Sequence, residues 1–246
     1  MFNSKLFLIF ALHNTLNGIW MIADFVIFDL DGTLLNTIGD LAAACNHVME
    51  TNGYPTYGLD DYKRFAGSGV RRLVELALPS SVPQAEVERM RNEFVEYYGL
   101  HIDNETVPYD GIPELLHDLQ EAGITMAVAS NKFHEGTCRL VKKYFPEIRF
   151  SSVFGQRPGI PLKPDPAVIY EILETAGYAG PSGSVVFVGD SGIDMDTAHA
   201  AGIVSVGVSW GFRSLSELVE HEAEYIVDGA GALKDLVFNL KDNERQ

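Results

Sequence analysis

The stretch Asp29-Leu30-Asp31-Gly32-Thr33-Leu34-Leu35-Asn36-Thr37, with the run Phe25-Val26-Ile27-Phe28 in front of it, constrains this chain more than any other part. An unbroken run of apolar, β-prone residues predicts a buried strand. That strand stops abruptly in Asp, one residue, Asp, Gly, Thr. Two carboxylates therefore leave the carboxyl end of a central strand, which is where open α/β sheets bind their ligands. Gly32 lets the backbone turn sharply and approach a ligand closely. Alone, the pattern would also suit a strand and an acidic turn; three segments downstream give it chemical meaning.

After Thr37 the periodicity turns helical. Leu41, Ala44, Cys45, Val48 and Met49 make one stripe, ended by Asn52-Gly53. A short segment over 60–66 leads to Gly67-Ser68-Gly69. Val70, Leu73, Val74, Ala77 and Leu78 mark another helix, and Val87, Met90, Phe94, Tyr97 and Tyr98 a longer one after a loop at 79–83. No strand pattern interrupts this region, so residues 39–108 read as an all-helical insert packed over a main domain formed by 22–38 and 109–240. A helix over 111–122 stops at Gly123. A strand over 124–129 ends in Ser130-Asn131-Lys132, and a helix through Val141 and Tyr144 follows. That helix takes in Cys138 and Phe145 as well, and a loop then runs to Pro161-Leu162-Lys163-Pro164-Asp165-Pro166, where Asp165 reads as the N-cap of the next helix. Strands over 185–188 and 203–208 flank a helix ending at Ala201-Gly202. A short strand at 225–227 and a helix at 230–240 complete the domain, and 241–246 read as a frayed tail. Alternating strands and helices predict right-handed crossovers and a Rossmann-like α/β core, a parallel sheet covered on both faces.

Composition narrows the partners. Among 246 residues there are 34 acids and 18 bases, a net charge of -16. Such a surface repels nucleic-acid backbones and anionic membranes. An anionic substrate would need a site that offsets this field locally. Cys45 and Cys138 form neither a disulfide framework nor a metal-ligand spacing; both read as small buried hydrophobes of a reducing, cytoplasmic compartment. Leu6 to Leu12, behind Lys5, resembles the apolar stretch of a signal peptide, but no small-x-small cleavage site follows. It is also short of the roughly 20 residues that a membrane span needs. Residues 1–21 read as an extension ahead of the folded chain.

Along one edge of the predicted sheet stand Asp29 and Asp31, Ser130 and Asn131, Asp190 with Asp194, and Lys163 from a loop. A carboxylate can attack phosphorus and split hydrolysis into two easier steps. A second carboxylate two residues on can protonate the leaving oxygen and then activate water. Acids beside an anionic phosphoryl group need a cation; Mg²⁺ suits oxygen ligands, and Mn²⁺ fits the same set. Asp190 is placed to complete that shell and Asp194 to hold a metal-bound water. Lys163 and the Ser130 hydroxyl can orient phosphoryl oxygens.

In these residues the chain resembles the haloacid dehalogenase-like hydrolase superfamily, and within it the phosphoglycolate phosphatase-like branch. DLDGTLLNT is similar to the family's first motif, ASNK at 129–132 to its second, KPDP at 163–166 to its third, and VGDSGIDMDTAHAAG at 188–202 to its fourth. The resemblance implies Asp29 as nucleophile, Asp31 as acid/base, and phosphate binding at Ser130, Asn131, Lys163 and Gly32. It implies Mg²⁺ at Asp29, Asp31 and Asp190, support from Asp194 and Thr33, and a helical cap at 39–108. AGSGVRRLVELAL and GVSWGF at 207–212 resemble phosphoglycolate phosphatases in particular, so the expected substrate is a small phosphorylated metabolite, phosphoglycolate first, and the expected protein a monomer or homodimer. Other small phosphates, a β-phosphoglucomutase-like transfer and a non-catalytic binding role stay open, while a phosphonatase would have only Lys63 in the cap for its Schiff base. The family usually has an acid where Asn36 stands, which bears on the loop into the cap.

Gly67-Ser68-Gly69 opens a cap helix, and helix N-termini bind anions, so this segment is the candidate for a substrate carboxylate. Arg71 could assist it, although Arg71 and Arg72 fit a solvated face as well. Trp210 and Phe212 are candidates for the pocket rim. His47, His101, His117, His134, His199 and His221 read as structural, without metal spacing.

Overall fold

The computed structural model describes residues 23–242; the expected extension at 1–21 and the tail beyond Asp242 lie outside the described residues. The central sheet has six parallel strands: β1 (Phe25–Phe28), β4 (Thr125–Phe133), β5 (Phe150–Gln156), β6 (Val185–Gly189), β7 (Val204–Val208) and β8 (Tyr225–Val227). Their order across the sheet is β5-β4-β1-β6-β7-β8. β1 is thus central, as its unbroken burial requires. Its side chains alternate between faces. Phe25 and Ile27 join Ile169, Ile172 and Phe187 on one side; Val26 and Phe28 join Leu116, Val188 and Val206 on the other.

A two-stranded ribbon, β2 (Leu35–Asn36) against β3 (Val107–Pro108), marks where the chain leaves the sheet and returns. Between them lie α1 (Ile38–Thr51), α2 (Leu59–Phe65), α3 (Gly69–Ala77) and α4 (Gln84–His101). The sheet is flanked by α5 (Ile112–Glu121), α6 (His134–Tyr144), α7 (Ala167–Thr175), α8 (Gly192–Ala201), α9 (Leu215–Glu220) and α10 (Ala230–Asp242). The helical insert has no separate core. Leu73, Met90, Phe94 and Tyr98 are continuous with Leu30, Leu34, Leu116 and Val128 of the main body. A set of fewer than 70 residues gains from sharing a core, because small units bury too little surface alone.

Several expectations need correction. Residues 150–156, read as loop, form edge strand β5. Its sequence FSSVFGQ is half-exposed and interrupted by serines, so no apolar run announces it. The region 39–108 is not wholly strand-free, since β3 occupies its last two positions. Cys138 is only partly buried, unlike Cys45. The N-cap of α7 is Pro166 instead of Asp165; the Asp165 carboxylate stands one position earlier and accepts from the Ala167 N–H at 2.9 Å. Gly123 follows α5 in the left-handed conformation its position demands, with φ 73°. Lys241 and Asp242 belong to α10 instead of a tail.

Asp40 locks the insert to the body. Buried in the first turn of α1, its carboxylate accepts from the N–H groups of Glu105 (3.0 Å) and Thr106 (2.9 Å) and from the Thr106 hydroxyl (2.7 Å). The outgoing and returning chains are thereby held side by side. Asp40→Ala leaves the buried Thr106 N–H without its acceptor and removes the charged link to Glu105, and should lower unfolding free energy by about 3 kcal/mol. Denaturant titration checks this; a loss below about 1 kcal/mol would mean that water replaces the carboxylate there.

Candidate active site

The apolar run of β1 delivers Asp29 to the carboxyl edge of the sheet, between β4 and β6. Asp29 is buried, 7% exposed, and its Oδ1 accepts from Lys163 Nζ at 2.8 Å. The same ammonium donates to Asp194 Oδ1 at 2.7 Å and to the Ala129 carbonyl at 2.9 Å. Lys163 therefore ties the loop before α7 to β1, β4 and α8 at a single atom. Burial alone would lower the Lys163 pKa; Asp194 and Asp29 outweigh it and hold the amine above its ordinary value.

Asp190 follows β6. Its Oδ2 accepts from the Phe212 N–H at 2.6 Å. Carboxylate oxygens of Asp29, Asp190 and Asp194 lie within 4.8 Å of one another. Among the described residues, Lys163 is the only cation that contacts this trio directly. The imbalance appears in their titration: burial, then Asp194 beside it, helps push Asp29 up to about 7 against the pull of Lys163. Burial and the neighbouring Asp194 and Asp29 likewise raise Asp190. Three buried oxygen donors short of positive charge suit a hard divalent ion such as Mg²⁺. The donor set differs from the expected one in one respect. The Asp31 carboxylate is not in this group, because it turns to Lys132 and Thr37. Asp194 is in the group, but its oxygens are already used by Lys163 and by the Ser191 N–H and hydroxyl (3.1 and 2.7 Å). It serves as a fixed support.

Glycines permit this crowding. Gly32 has φ 90°, and a Cβ there would overlap the Asp190 carboxylate; a Cβ on Gly211 would overlap both Asp190 and the Gly32 carbonyl. The Gly32 N–H donates to the Leu35 carbonyl at 2.9 Å and closes the turn. Thr33 is buried, its carbonyl accepts from Trp210 Nε1 at 3.1 Å, and its hydroxyl has no hydrogen-bond partner. The Asn36 carboxamide lies 3.5 Å from the Ile38 N–H at the start of α1.

Asp31 is held by groups that sequence reasoning missed. Thr37 Oγ1 donates to its Oδ1 at 2.7 Å, and Lys132 Nζ reaches Oδ1 and Oδ2 at 3.0 and 3.3 Å. Lys132 also donates to the hydroxyl of Tyr98, from α4, at 2.6 Å. Lys132 stands inside the ASNK motif, but its partner is 101 positions away, and nothing local signals the pairing.

Ser130 and Asn131 both line the pocket with Asp29, Asp31, Lys132, Lys163 and Asp190. The Asn131 side chain is occupied: its Nδ2 donates to the carbonyls of Lys163 and Gly67 (both 3.0 Å), and its Oδ1 accepts from the Lys163 N–H at 2.9 Å. It is a strut between main body and insert. Arg213 is a second strut that sequence reasoning missed, donating to the carbonyls of Arg64 and Ala66 at 3.0 and 2.7 Å beyond α2. Gly67 and Gly69 reach the pocket; Ser68 and Arg71 are not among its lining. Arg71 is exposed and paired with Glu88 at 2.5 Å and with Gln84, so the outward-facing reading applies. Phe212 lines the pocket, whereas Trp210 packs near Tyr109. His47 stacks on Tyr97, as a structural residue would. His117 departs from expectation: it comes within 4.8 Å of Asp118 and Glu121 on exposed α5, where Asp118 is paired with Lys234 at 2.7 Å.

A buried carboxylate at a strand end, an ammonium against it, a separately held second carboxylate and a cation-seeking acid trio form a site able to displace a phosphoryl group. The chain is similar to known proteins. A phosphoglycolate phosphatase of Agrobacterium fabrum is 33% identical over 220 residues, 86% of this chain and 91% of that protein. One from Mesorhizobium japonicum is 33% identical over 190 residues, 76% of this chain and 83% of that one. A crystal structure from Lactobacillus delbrueckii subsp. bulgaricus, provisionally named a phosphoglycolate phosphatase, superposes with a TM-score of 0.81 at 35% identity, covering 88% of this chain and 99% of that one. Residues 26–208 match the haloacid dehalogenase-like hydrolase family, and the chain belongs to that family, on its phosphoglycolate phosphatase-like branch.

Proposed function

We propose that this protein is a Mg²⁺-dependent phosphomonoester hydrolase acting through an aspartyl-phosphate, with phosphoglycolate as its substrate. The observation that carries the reading is the separation of the two β1-end carboxylates: Asp29 is paired with Lys163 beside Asp190, and Asp31 is paired with Lys132 and Thr37. One is placed to bond to phosphorus, the other to move a proton.

In the first step an Asp29 oxygen forms a bond to phosphorus, the ester P–O bond breaks, and protonated Asp31 gives its proton to the departing oxygen. In the second, Asp31 takes a proton from water, the water oxygen bonds to phosphorus, and the Asp29–phosphorus bond breaks. Lys163 and Ser130 hold the phosphoryl oxygens. Asp29 and Asp190, steadied by Asp194, would hold the ion, which supplies counter-charge to the phosphoryl group when bound. Residues 39–108 act as the cap, closed by Asn131 and Arg213 over a cavity of about 50 Å³. That volume favours a small leaving group, and the names of the relatives support phosphoglycolate. Among the described residues no helix is long and apolar enough to cross a membrane. The two free thiols fit a cytoplasmic enzyme.

Phosphate release from 2-phosphoglycolate should require MgCl₂, stop in EDTA, and fall at least about 10³-fold in Asp29→Asn. Equal release from glucose 1-phosphate or a nucleotide would reject the substrate while keeping the chemistry. Arg71→Ala should change KM for 2-phosphoglycolate less than about twofold, since surface ion pairs are weak and this one faces outward; a tenfold rise would put Arg71 back in the substrate site. The raised Asp29 carboxyl also sets a sign. Folded Asp29 binds a proton up to about pH 7, whereas the unfolded carboxyl loses it near about 4. The metal-free protein therefore loses stability as pH rises through that window, and the loss is complete above it. MgCl₂ should raise Tm more at about pH 8 than at about pH 5, by on the order of 5 °C at the higher pH. Equal shifts at both pH values, read by scanning fluorimetry, would place the ion elsewhere.

A further inference from the structure

Four consecutive residues after β7, Trp210-Gly211-Phe212-Arg213, each reach a different part of the site. Trp210 Nε1 donates to the Thr33 carbonyl, 3.1 Å away in the turn that follows β1. Gly211 lies so close to the Asp190 carboxylate and the Gly32 carbonyl that a Cβ would overlap both. The Phe212 N–H donates to Asp190 Oδ2 at 2.6 Å. Arg213 then leaves the main body. Its guanidinium donates to the carbonyls of Arg64 and Ala66, at 3.0 and 2.7 Å, where α2 ends and the chain turns toward α3. Its side chain is 16% exposed, and Glu217 at 3.7 Å is its one carboxylate partner among the described residues.

This strap joins a cation-seeking acid to the insert with no spacer between them. The Phe212 N–H is the one hydrogen bond that the Asp190 carboxylate accepts among the described residues. Fixing that carboxylate fixes the Phe212 peptide, and Arg213 is the next residue. At the other end, the last carbonyls of a helix have no partner within it, so Arg213 supplies donors that α2 lacks. A shift of about 1 Å in the strap would carry those donors out of hydrogen-bond range. Asn131 latches Gly67 as well, at 3.0 Å, but continues into the main chain of Lys163 and not to Asp190.

We infer that residues 210–213 couple the divalent-ion site to the insert, with Arg213 as the positioning residue, so that the latched insert and an ion held at Asp29 and Asp190 favour one another. The inference rests on the reading above that these two acids hold the ion. Such coupling is reciprocal: each equilibrium shifts the other by the same factor. Its sign separates it from simple electrostatics. Arg213 lines the same pocket as Asp29 and Asp190, and a positive charge in the wall opposes a second one nearby. Taken as a bare charge, its removal would tighten Mg²⁺ binding. Taken as a latch, its removal loosens it.

Titration calorimetry of the purified protein with MgCl₂, without substrate, should give Arg213→Gln a Kd about fivefold or more above wild type, the lower end of ordinary coupling between sites. Arg71→Ala, an exposed change on the same insert, should stay within about twofold; a loss equal to that of Arg213→Gln would make the effect a general one of the insert and overturn the inference. The reciprocal arm needs only wild type, should Arg213→Gln fail to fold. Amide hydrogen exchange at residues 64–69 should slow about fivefold or more when MgCl₂ is added, while residues 103–108, held through Asp40, keep their rates. A Kd for Arg213→Gln equal to or below that of wild type, or exchange at 64–69 indifferent to MgCl₂, overturns the inference and leaves the ion site standing. A wild-type protein with no saturable Mg²⁺ binding overturns the reading of Asp29 and Asp190 as ion ligands, and this inference with it.

Discussion

The buried ammonium of Lys163 is the contact on which the site depends. It touches Asp29 of the first strand end, Asp194 of α8 and the carbonyl of Ala129 in β4. Four stretches that are far apart in sequence meet at one nitrogen, and the two carboxylates offset the cost of burying its charge. The carboxylates in turn outnumber it. With Asp190 beside Asp29 and Asp194, the trio stays short of positive charge; burial first, and the neighbouring carboxylates after it, raise the Asp29 and Asp190 carboxyls. The fold thus pays in stability for an electrostatic deficit that a divalent cation and a phosphoryl-transfer site can use.

The insert is held by contacts of a different kind. Asp40 binds the returning chain at Glu105 and Thr106, where the two crossings run side by side. Asn131 and Arg213 bind only main-chain carbonyls of residues 64–67. The first contact is at the crossing and charged; the others lie across the pocket and can be broken and remade with water. A cap joined firmly at one edge and latched by a few hydrogen bonds at the other is suited to opening for substrate and closing before chemistry.

The strand ends that carry the chemistry were legible because each breaks an apolar run with polar residues: Asp29 after Phe28, Ser130 after Ala129, Asp190 after Gly189. Burial enforces such runs, and so the central strands announced themselves. Edge strand β5 did not, because a half-exposed strand tolerates Ser151 and Ser152. Partnerships were less legible than positions. Asn131 and Gly32 were read as phosphate contacts; the Asn131 carboxamide is held by Lys163 and Gly67, and the Gly32 N–H by Leu35 within the turn. Partners as distant as those of Asn131 leave no mark in the local sequence. Lys132 and Arg213 went unremarked for the same reason, since their partners are more than 100 residues distant.

The two lysines also show why adjacent motifs need not share a task. Lys163 is clamped between two carboxylates, and losing one still leaves it paired with the other. Lys132 has a single carboxylate among its described contacts, Asp31, and it donates as well to the Tyr98 hydroxyl of the helical insert. A doubly paired ammonium is fixed within the main body; one that bridges Asp31 and Tyr98 ties the second β1-end carboxylate to α4, so the placement of that carboxylate follows the placement of the insert.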